Sequence, residues 1–297
     1  MIETRMSAWL NRIRYIVLSI LCLLTVQGLS AAEIEDIEKV PADLVTPEVT
    51  DGEPAPGKRV RQVNKGYTGA HHLVYLPTDW VAGKKYPVIV EYAGNTFPKG
   101  AGTVESSNLG YGISGGKGVI WICMPFVHKK RKRNVVTWRN AVTWWGDVRT
   151  TVAYCKTTVK RICDAYGGDP SNLFIAGFSR GSIACNFIGL YDDEIASLWR
   201  GFICHSYYDG SRRKSWPGTT CQESLERLKR LKSRPQFISH ERPHVLKETR
   251  AYLAKNMPNG NFTFQQMSFP NHTDCWVLRD IPERKAVRDW FNKALSK

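Results

Sequence analysis

Apolar positions in this chain fall into short continuous runs separated by longer stretches of helical period. Leu73-Val74-Tyr75-Leu76, Pro87-Val88-Ile89-Val90, Val119-Ile120-Trp121-Ile122-Cys123, Asn172-Leu173-Phe174-Ile175-Ala176, Gly201-Phe202-Ile203-Cys204, Gln236-Phe237-Ile238 and Phe262 to Phe269 read as strands. Runs apolar at every position, rather than at alternate ones, describe strands buried on both faces. Between them, Asp147 caps a helix whose Val148, Val152, Cys155, Val159, Ile162 and Tyr166 recur in steps of three and four. A second helix spans Val245 to Leu253. A third has Pro282 near its first turn and Val287, Trp290, Phe291 and Leu295 on one face. Strands alternating with helices predict an α/β fold, a mostly parallel sheet with helices on both faces. No internal repeat or second domain is visible. Residues 58–297 read as one domain, and the acidic, Pro-rich stretch 33–57 as a flexible leader.

The N-terminus adds a compartment. Arg5, Arg12 and Arg14 precede an apolar run from Tyr15 to about Val26, followed by Ser30, Ala31 and Ala32 before Glu33. That order describes a secretory signal peptide over residues 1–32, cleaved after Ala32, with a secreted or periplasmic product. The alternative, an uncleaved anchor, suffers from a run short for a membrane span. Export leaves seven of the eight cysteines, an odd number. Up to three disulfides are then allowed. Cys123 and Cys204 lie in strand-like runs and Cys155 and Cys163 in one helical pattern, so buried free thiols are the simpler account of most. Paired CxxC motifs are absent, which argues against a zinc ribbon, and no metal is expected.

The chemistry concentrates in Gly177-Phe178-Ser179-Arg180-Gly181, directly after an apolar strand and before a helical run. A serine on so tight a strand-to-helix turn takes a strained backbone, and its neighbours two residues either side must lack side chains. The same turn aims backbone N–H groups at developing negative charge. In this arrangement the partners follow in the order serine, acid, histidine. His272, after the last strand and before the last helix, is the expected base. Glu241, after the Gln236–Ser239 strand, is the favoured acid, with Asp209 its rival. His205 and His240 end strands and would line the site. The oxyanion donors are expected from the N–H of Arg180 and from Asn95 or Thr96, in the loop after Pro87–Val90. Tyr92, heading that loop, and Asp209 are assigned to substrate binding.

At these residues the sequence resembles the α/β-hydrolase superfamily, most of all its secreted esterase branch of polyhydroxybutyrate-depolymerase-like and feruloyl-esterase-like proteins. The likeness runs through Tyr86-Pro87-Val88-Ile89-Val90, Asp147–Tyr166, Gly168-Asp169-Pro170, Gly177–Gly181 and His272. The resemblance implies an eight-stranded sheet, hydrolysis through an acyl-enzyme, no cofactor, Ser179 as nucleophile and His272 as base. Two features depart from it. Tyr92-Ala93-Gly94 stands where a His-Gly pair is common, and the usual Asp after the seventh strand is missing, which leaves Glu241 as substitute. Trp144-Trp145-Gly146-Asp147 and Asn271–Trp276 also resemble secreted proteins of planctomycete-type bacteria, a likeness that names no substrate.

Charge bears on the substrate. The chain carries a formal net charge of +15. Basic clusters fall at His128-Lys129-Lys130-Arg131-Lys132-Arg133, Arg212-Arg213-Lys214 and Arg227–Lys232; they would steer an anionic polysaccharide ester or simply form a solvated surface. Trp138, Trp144, Trp145 and Trp216 would serve either as a sugar platform or as packing. A small lid, between Cys204 and Gln236, speaks against a lipase. Nucleic acid is not expected as partner, nor is stable membrane insertion after signal removal. The expected partner is thus a small-molecule or polysaccharide ester. A serine peptidase of the same fold and a non-catalytic binding protein on a hydrolase scaffold are the competing readings.

Overall fold

The computed structural model describes residues 34–96, 102–132, 135–211, 218 and 220–296. The expected export signal lies outside them, as do Arg212, Arg213, Lys214 and Trp216. Glu35–Lys297 form one compact unit.

The strands are β1 (Val49–Thr50), β2 (Arg59–Gln62), β3 (His72–Tyr75), β4 (Tyr86–Tyr92), β5 (Ile120–Met124), β6 (Val127–Lys132), β7 (Val135–Asn140), β8 (Gly168–Phe178), β9 (Trp199–His205), β10 (Gln236–His240) and β11 (Phe262–Gln266). The helices are α1 (Leu109–Ser114), α2 (Val148–Tyr166), α3 (Arg180–Phe187), α4 (Asp193–Leu198), α5 (Cys221–Leu228), α6 (Pro243–Asn256) and α7 (Pro282–Leu295). Nine strands form one sheet in the order β1-β2-β3-β5-β4-β8-β9-β10-β11, and β6 and β7 form a separate ribbon. From β5 to β11 every neighbour is parallel, while β3 runs antiparallel to β2 and β5. The expected eight strands are therefore nine: β1 adds two residues pairing with the polar β2. Arg59-Val60-Arg61-Gln62 has too little apolar content to announce itself as a strand.

β5 and β10 are buried at every position, and β4 and β9 at all but one each. Since alternate residues point to opposite faces, both faces of the sheet are covered. In α2, Asp147 accepts the Thr150 N–H at 2.8 Å, and Val152, Cys155, Val159 and Ile162 are buried. Among the described residues no helix is long and apolar enough to cross a membrane. Cys123, Cys155, Cys163, Cys185 and Cys204 are buried free thiols; Cys221 and Cys275 are also unpaired.

The described part of the expected flexible leader is ordered on the domain. Ile37 is fully buried. Asp43 and Leu44 donate their N–H groups to the Leu278 carbonyl, and Arg279 Nε donates to the Val40 carbonyl at 2.8 Å. Arg284, buried in α7, forks onto both carboxylate oxygens of Asp43 at 2.7 and 2.8 Å. The acidic composition of the stretch hid one apolar anchor and one carboxylate matched to a buried arginine.

Candidate active site

β8 ends at Phe178 and α3 begins at Arg180, so Ser179 is the whole connection. Its φ of +55° and ψ of −113° lie where residues with a Cβ are strained. Four described non-glycine residues have positive φ: Trp144, Ser179, Ser206 and Lys232. Three of them belong to this site, as expected where strain is retained for geometry. A Cβ added to Gly181 would overlap the Tyr92 carbonyl oxygen, and one on Gly177 the Gly181 backbone. The two glycines let α3 start directly against the ends of β4 and β8.

Ser179 Oγ lies 3.1 Å from His272 Nε2, and His272 Nδ1 lies 2.7 Å from Glu241 Oε1. The carboxylate only accepts, so Nδ1 carries the proton and Nε2 is left to accept the serine O–H. Glu241 is itself buried. Its Oε2 accepts the Ser206 hydroxyl at 2.7 Å, and His240 Nδ1 lies 3.2 Å away. Burial alone would raise its carboxyl, but the hydrogen bond from His272, with His240 and His205 alongside, outweighs that and holds it well below the usual carboxylate range.

The residues flanking His272 are fixed by three separate elements. Asn271 receives the Ile37 N–H at 2.9 Å and donates to the Asp36 carboxylate at 2.9 Å. The Thr273 carbonyl accepts from His205 Nε2 at 3.0 Å. Asp274 accepts from the Asn108 side chain at 3.0 Å. His205 is fully buried at the end of β9, stacked on Phe178, and burial lowers it to about 4, so it is a neutral ring with its proton on Nε2. Its backbone carbonyl accepts the Ser179 N–H at 2.9 Å. One residue thus braces both the serine turn and the histidine loop. Phe178 and Tyr207 pack on the His272 ring at centroid distances of 4.7 and 5.6 Å.

Behind the histidine loop, Glu91 of β4 accepts the Asn108, Leu109 and Gly110 N–H groups and the Trp121 indole. Burial and the nearby Asp274 push its carboxyl up. Four converging donors nevertheless make Glu91 the ionised member of the pair. Asp274, raised by burial to about 6 from a usual 3.8, is then the one that takes a proton as pH falls. A carboxyl raised on folding stabilises fully below its unfolded value, and that stabilisation is lost as pH rises through about 6. Asp274→Asn keeps an acceptor for Asn108 and removes the charge. Its urea midpoint should exceed that of the wild type at pH 8, by a stability on the order of 1 kcal/mol or more, with the advantage shrinking at pH 5 and vanishing only below the usual 3.8. An equal difference at both pH values would refute this account.

The other expected site residues lie elsewhere or act differently. Asp209 is buried and taken up by Arg227, at 3.0 and 3.1 Å, and Ser224, at 2.8 Å, so it neither binds substrate nor orients His272. Tyr92 is also fully buried, packed on Phe126 at 4.9 Å, and its assignment to substrate binding is corrected likewise. The expected tryptophan platform is divided: Trp145 is buried against Phe187 at 4.4 Å, whereas Trp144 is half-buried. Gly94 borders the Ser179 Cβ and the Phe178 ring. The Asn95 side chain accepts the Trp144 N–H at 2.8 Å, and the Thr96 N–H is spent on the Val142 carbonyl at 2.9 Å, which removes Thr96 as an oxyanion donor.

The Arg180 guanidinium is buried over the Phe126 ring at 4.0 Å. It donates to the carbonyls of Trp144 at 2.6 Å, Ala141 at 3.2 Å and Gly102 at 3.4 Å. Burial lowers it to about 9, so it remains charged at neutral pH. No sequence signal announced this role, in which the arginine ties the 141–144 turn to the serine turn. Among the described residues, no group of three or more His, Cys, Asp or Glu is placed to hold a metal ion.

No family model and no curated protein sequence matches the chain. Solved structures do. Esterase 2 of the planctomycete Thermogutta terrifontis, phosphoramylated by tabun, is 16% identical with a TM-score of 0.52; the match covers 81% of this chain and 94% of that one. The same esterase phosphorylated by paraoxon is 17% identical at a TM-score of 0.51, with the same coverage. A thermostable esterase, 13% identical at a TM-score of 0.48, is longer: the match covers 79% of this chain and 62% of that one. The chain has the α/β-hydrolase fold. Within this fold, Ser179 occupies the turn after β8, Glu241 follows β10, and His272 stands between β11 and α7.

Proposed function

We propose that this chain is an exported serine hydrolase that cleaves carboxylic esters through an acyl-enzyme, acyl groups on polysaccharide among them. The observation that carries the reading is the unbroken hydrogen-bonded line from Ser179 Oγ through His272 to Glu241, at 3.1 and 2.7 Å. Ser179 Oγ attacks the ester carbonyl carbon as His272 Nε2 takes its proton. Glu241 holds the ring in the required tautomer and stabilises the imidazolium. The carbonyl π electrons move onto oxygen, where the Arg180 N–H and one N–H of the Ala93–Asn95 loop receive them. The Arg180 N–H is a first-turn amide of α3 and has no acceptor within the helix. Each donor contributes about 3 kcal/mol in comparable sites. The tetrahedral centre collapses, the alkoxide leaves with the proton from Nε2, and the acyl group stays on Oγ. Water, deprotonated by the same nitrogen, then releases the acid.

An esterase of this fold has been observed phosphorylated by paraoxon, so a fluorophosphonate is the fitting probe. It should label the wild type on the peptide bearing Ser179, with labelling lost in Ser179→Ala. An unlabelled wild type would point to a non-catalytic scaffold. Short-chain nitrophenyl esters set against aminoacyl anilides divide esterase from peptidase, and turnover of the esters alone is expected.

A further inference from the structure

The β6–β7 ribbon stands apart from the main sheet, and its composition is one-sided. From Val127 through Gly146 there are six Lys or Arg residues and no Asp or Glu. Lys129, Lys130, Arg131 and Arg139 are exposed and form no ion pair with a described carboxylate. The basic run 227–232 differs: Arg227, Lys229 and Arg230 are matched by Asp209, Glu226 and Asp193. Of the four exposed cations only Lys129 meets a partner in the ribbon itself, 5.6 Å over the Trp138 ring; the like charges of Lys130, Arg131 and Arg139 repel one another and weaken the ribbon.

The register arranges these charges. His128 faces Arg139, Lys129 faces Trp138, Lys130 faces Thr137 and Arg131 faces Val136. Lys130 and Arg139 are therefore diagonal neighbours on one face, about 7 Å apart, and Lys129 and Arg131 share the other at about the same spacing. Both faces carry positive charge in a row along the ribbon. A flat membrane would meet one face only, and interfacial anchoring wants a segregated apolar or aromatic edge. Here the exposed Val135 and Val136 point to opposite faces, while Trp138 is half-buried against Tyr67 at 5.4 Å. A thin linear polyanion fits this arrangement better.

The ribbon also joins the candidate active site through its own backbone. β7 ends at Asn140; the carbonyls of Ala141 and Trp144 accept from Arg180, and that of Val142 accepts from Thr96. The base of the ribbon is thus tied to the turn that carries Ser179.

We propose that the β6–β7 ribbon docks the polysaccharide that carries the scissile ester, and that this polysaccharide is carboxylated. The proposal rests on the ester-hydrolase reading for its catalytic part only. The test compares wild type with Lys130→Glu/Arg131→Glu/Arg139→Glu, and with the milder Lys130→Gln/Arg131→Gln in case charge reversal impairs folding. Three probes are used: acetylated polygalacturonate, acetylated neutral xylan and 4-nitrophenyl acetate. The wild type should prefer the acidic polymer, with a preference that shrinks as salt rises. The triple variant should lose about tenfold or more of kcat/KM on that polymer and stay within about twofold on the nitrophenyl ester. Affinity electrophoresis through de-esterified polygalacturonate reads docking without chemistry: the wild type should be retarded and the variant should not. An inactive but retarded wild type would overturn the hydrolase reading and leave docking standing. Equal mobility of wild type and variant, or ribbon-dependent binding to phosphatidylserine vesicles or duplex DNA without retardation by the polymer, would overturn the docking.

Discussion

Glu241→Gln is expected to fold normally and to lose about a thousandfold or more of kcat on small esters. The carboxylate serves two partners at once, His272 Nδ1 through Oε1 and the Ser206 hydroxyl through Oε2. An amide has one acceptor oxygen for both. If its nitrogen turns toward His272, the ring must accept at Nδ1, its proton moves to Nε2, and the base can no longer take the serine proton. If its oxygen turns there, the tautomer survives, but the imidazolium formed in the transition state has lost its counter-charge in a buried setting. Either way the loss is in kcat rather than KM, because no substrate contact changes. Asp209→Asn is the control. It should leave kcat per folded molecule intact while destabilising the fold by several kcal/mol, because Arg227 is left without its partner. Full turnover by Glu241→Gln would remove this residue from the mechanism.

Gly181→Ala should be more severe still, with little or no folded protein recovered. The added methyl would occupy the position of the Tyr92 carbonyl oxygen, a backbone atom at the end of a central strand. It cannot rotate away as a side chain would. Relief requires α3 to draw back from β4, which carries the Arg180 N–H away from the oxyanion and opens the Ser179–His272 distance. Overpacking against side chains costs about 1–3 kcal/mol, and against fixed backbone in a covered sheet the cost should exceed that range. Circular dichroism melting and soluble yield check it; a wild-type melting temperature would show that the turn has room for the methyl and refute the argument.

The centre of the fold was readable because strands buried on both faces carry continuous apolar runs: Pro87–Val90 in β4, Ile120–Met124 in β5, Leu173–Ala176 in β8 and Phe202–Cys204 in β9. The margin was not. β2 is half charged, and β6 is basic at every position after Val127, a run that reads as solvated loop until its pairing with β7 is known. The positions of Ser179 and His272 relative to strands and helices were legible for the same reason, since the turn chemistry of Gly177 and Gly181 is local. Choosing between Glu241 and Asp209 needed information that is not local. Both follow strands, but Glu241 is the first residue past β10, whereas Asp209 lies four residues past β9, far enough for its carboxylate to reach α5, where Arg227 and Ser224 take it. The bracing of His272 by His205, Asp36 and Asn108 joins residues up to 235 positions apart in sequence. No periodicity records such pairings.

The tether between Asp36–Ile37 and Asn271 has a practical side. Shortened versions of the protein that begin after residue 46 would strip partners from Asn271, Arg279 and Arg284 together. They could still present every residue of the serine–histidine–glutamate line and yet turn over slowly, because the segment that steadies the histidine is supplied by the far end of the polypeptide. A recombinant version should therefore begin no later than Glu35.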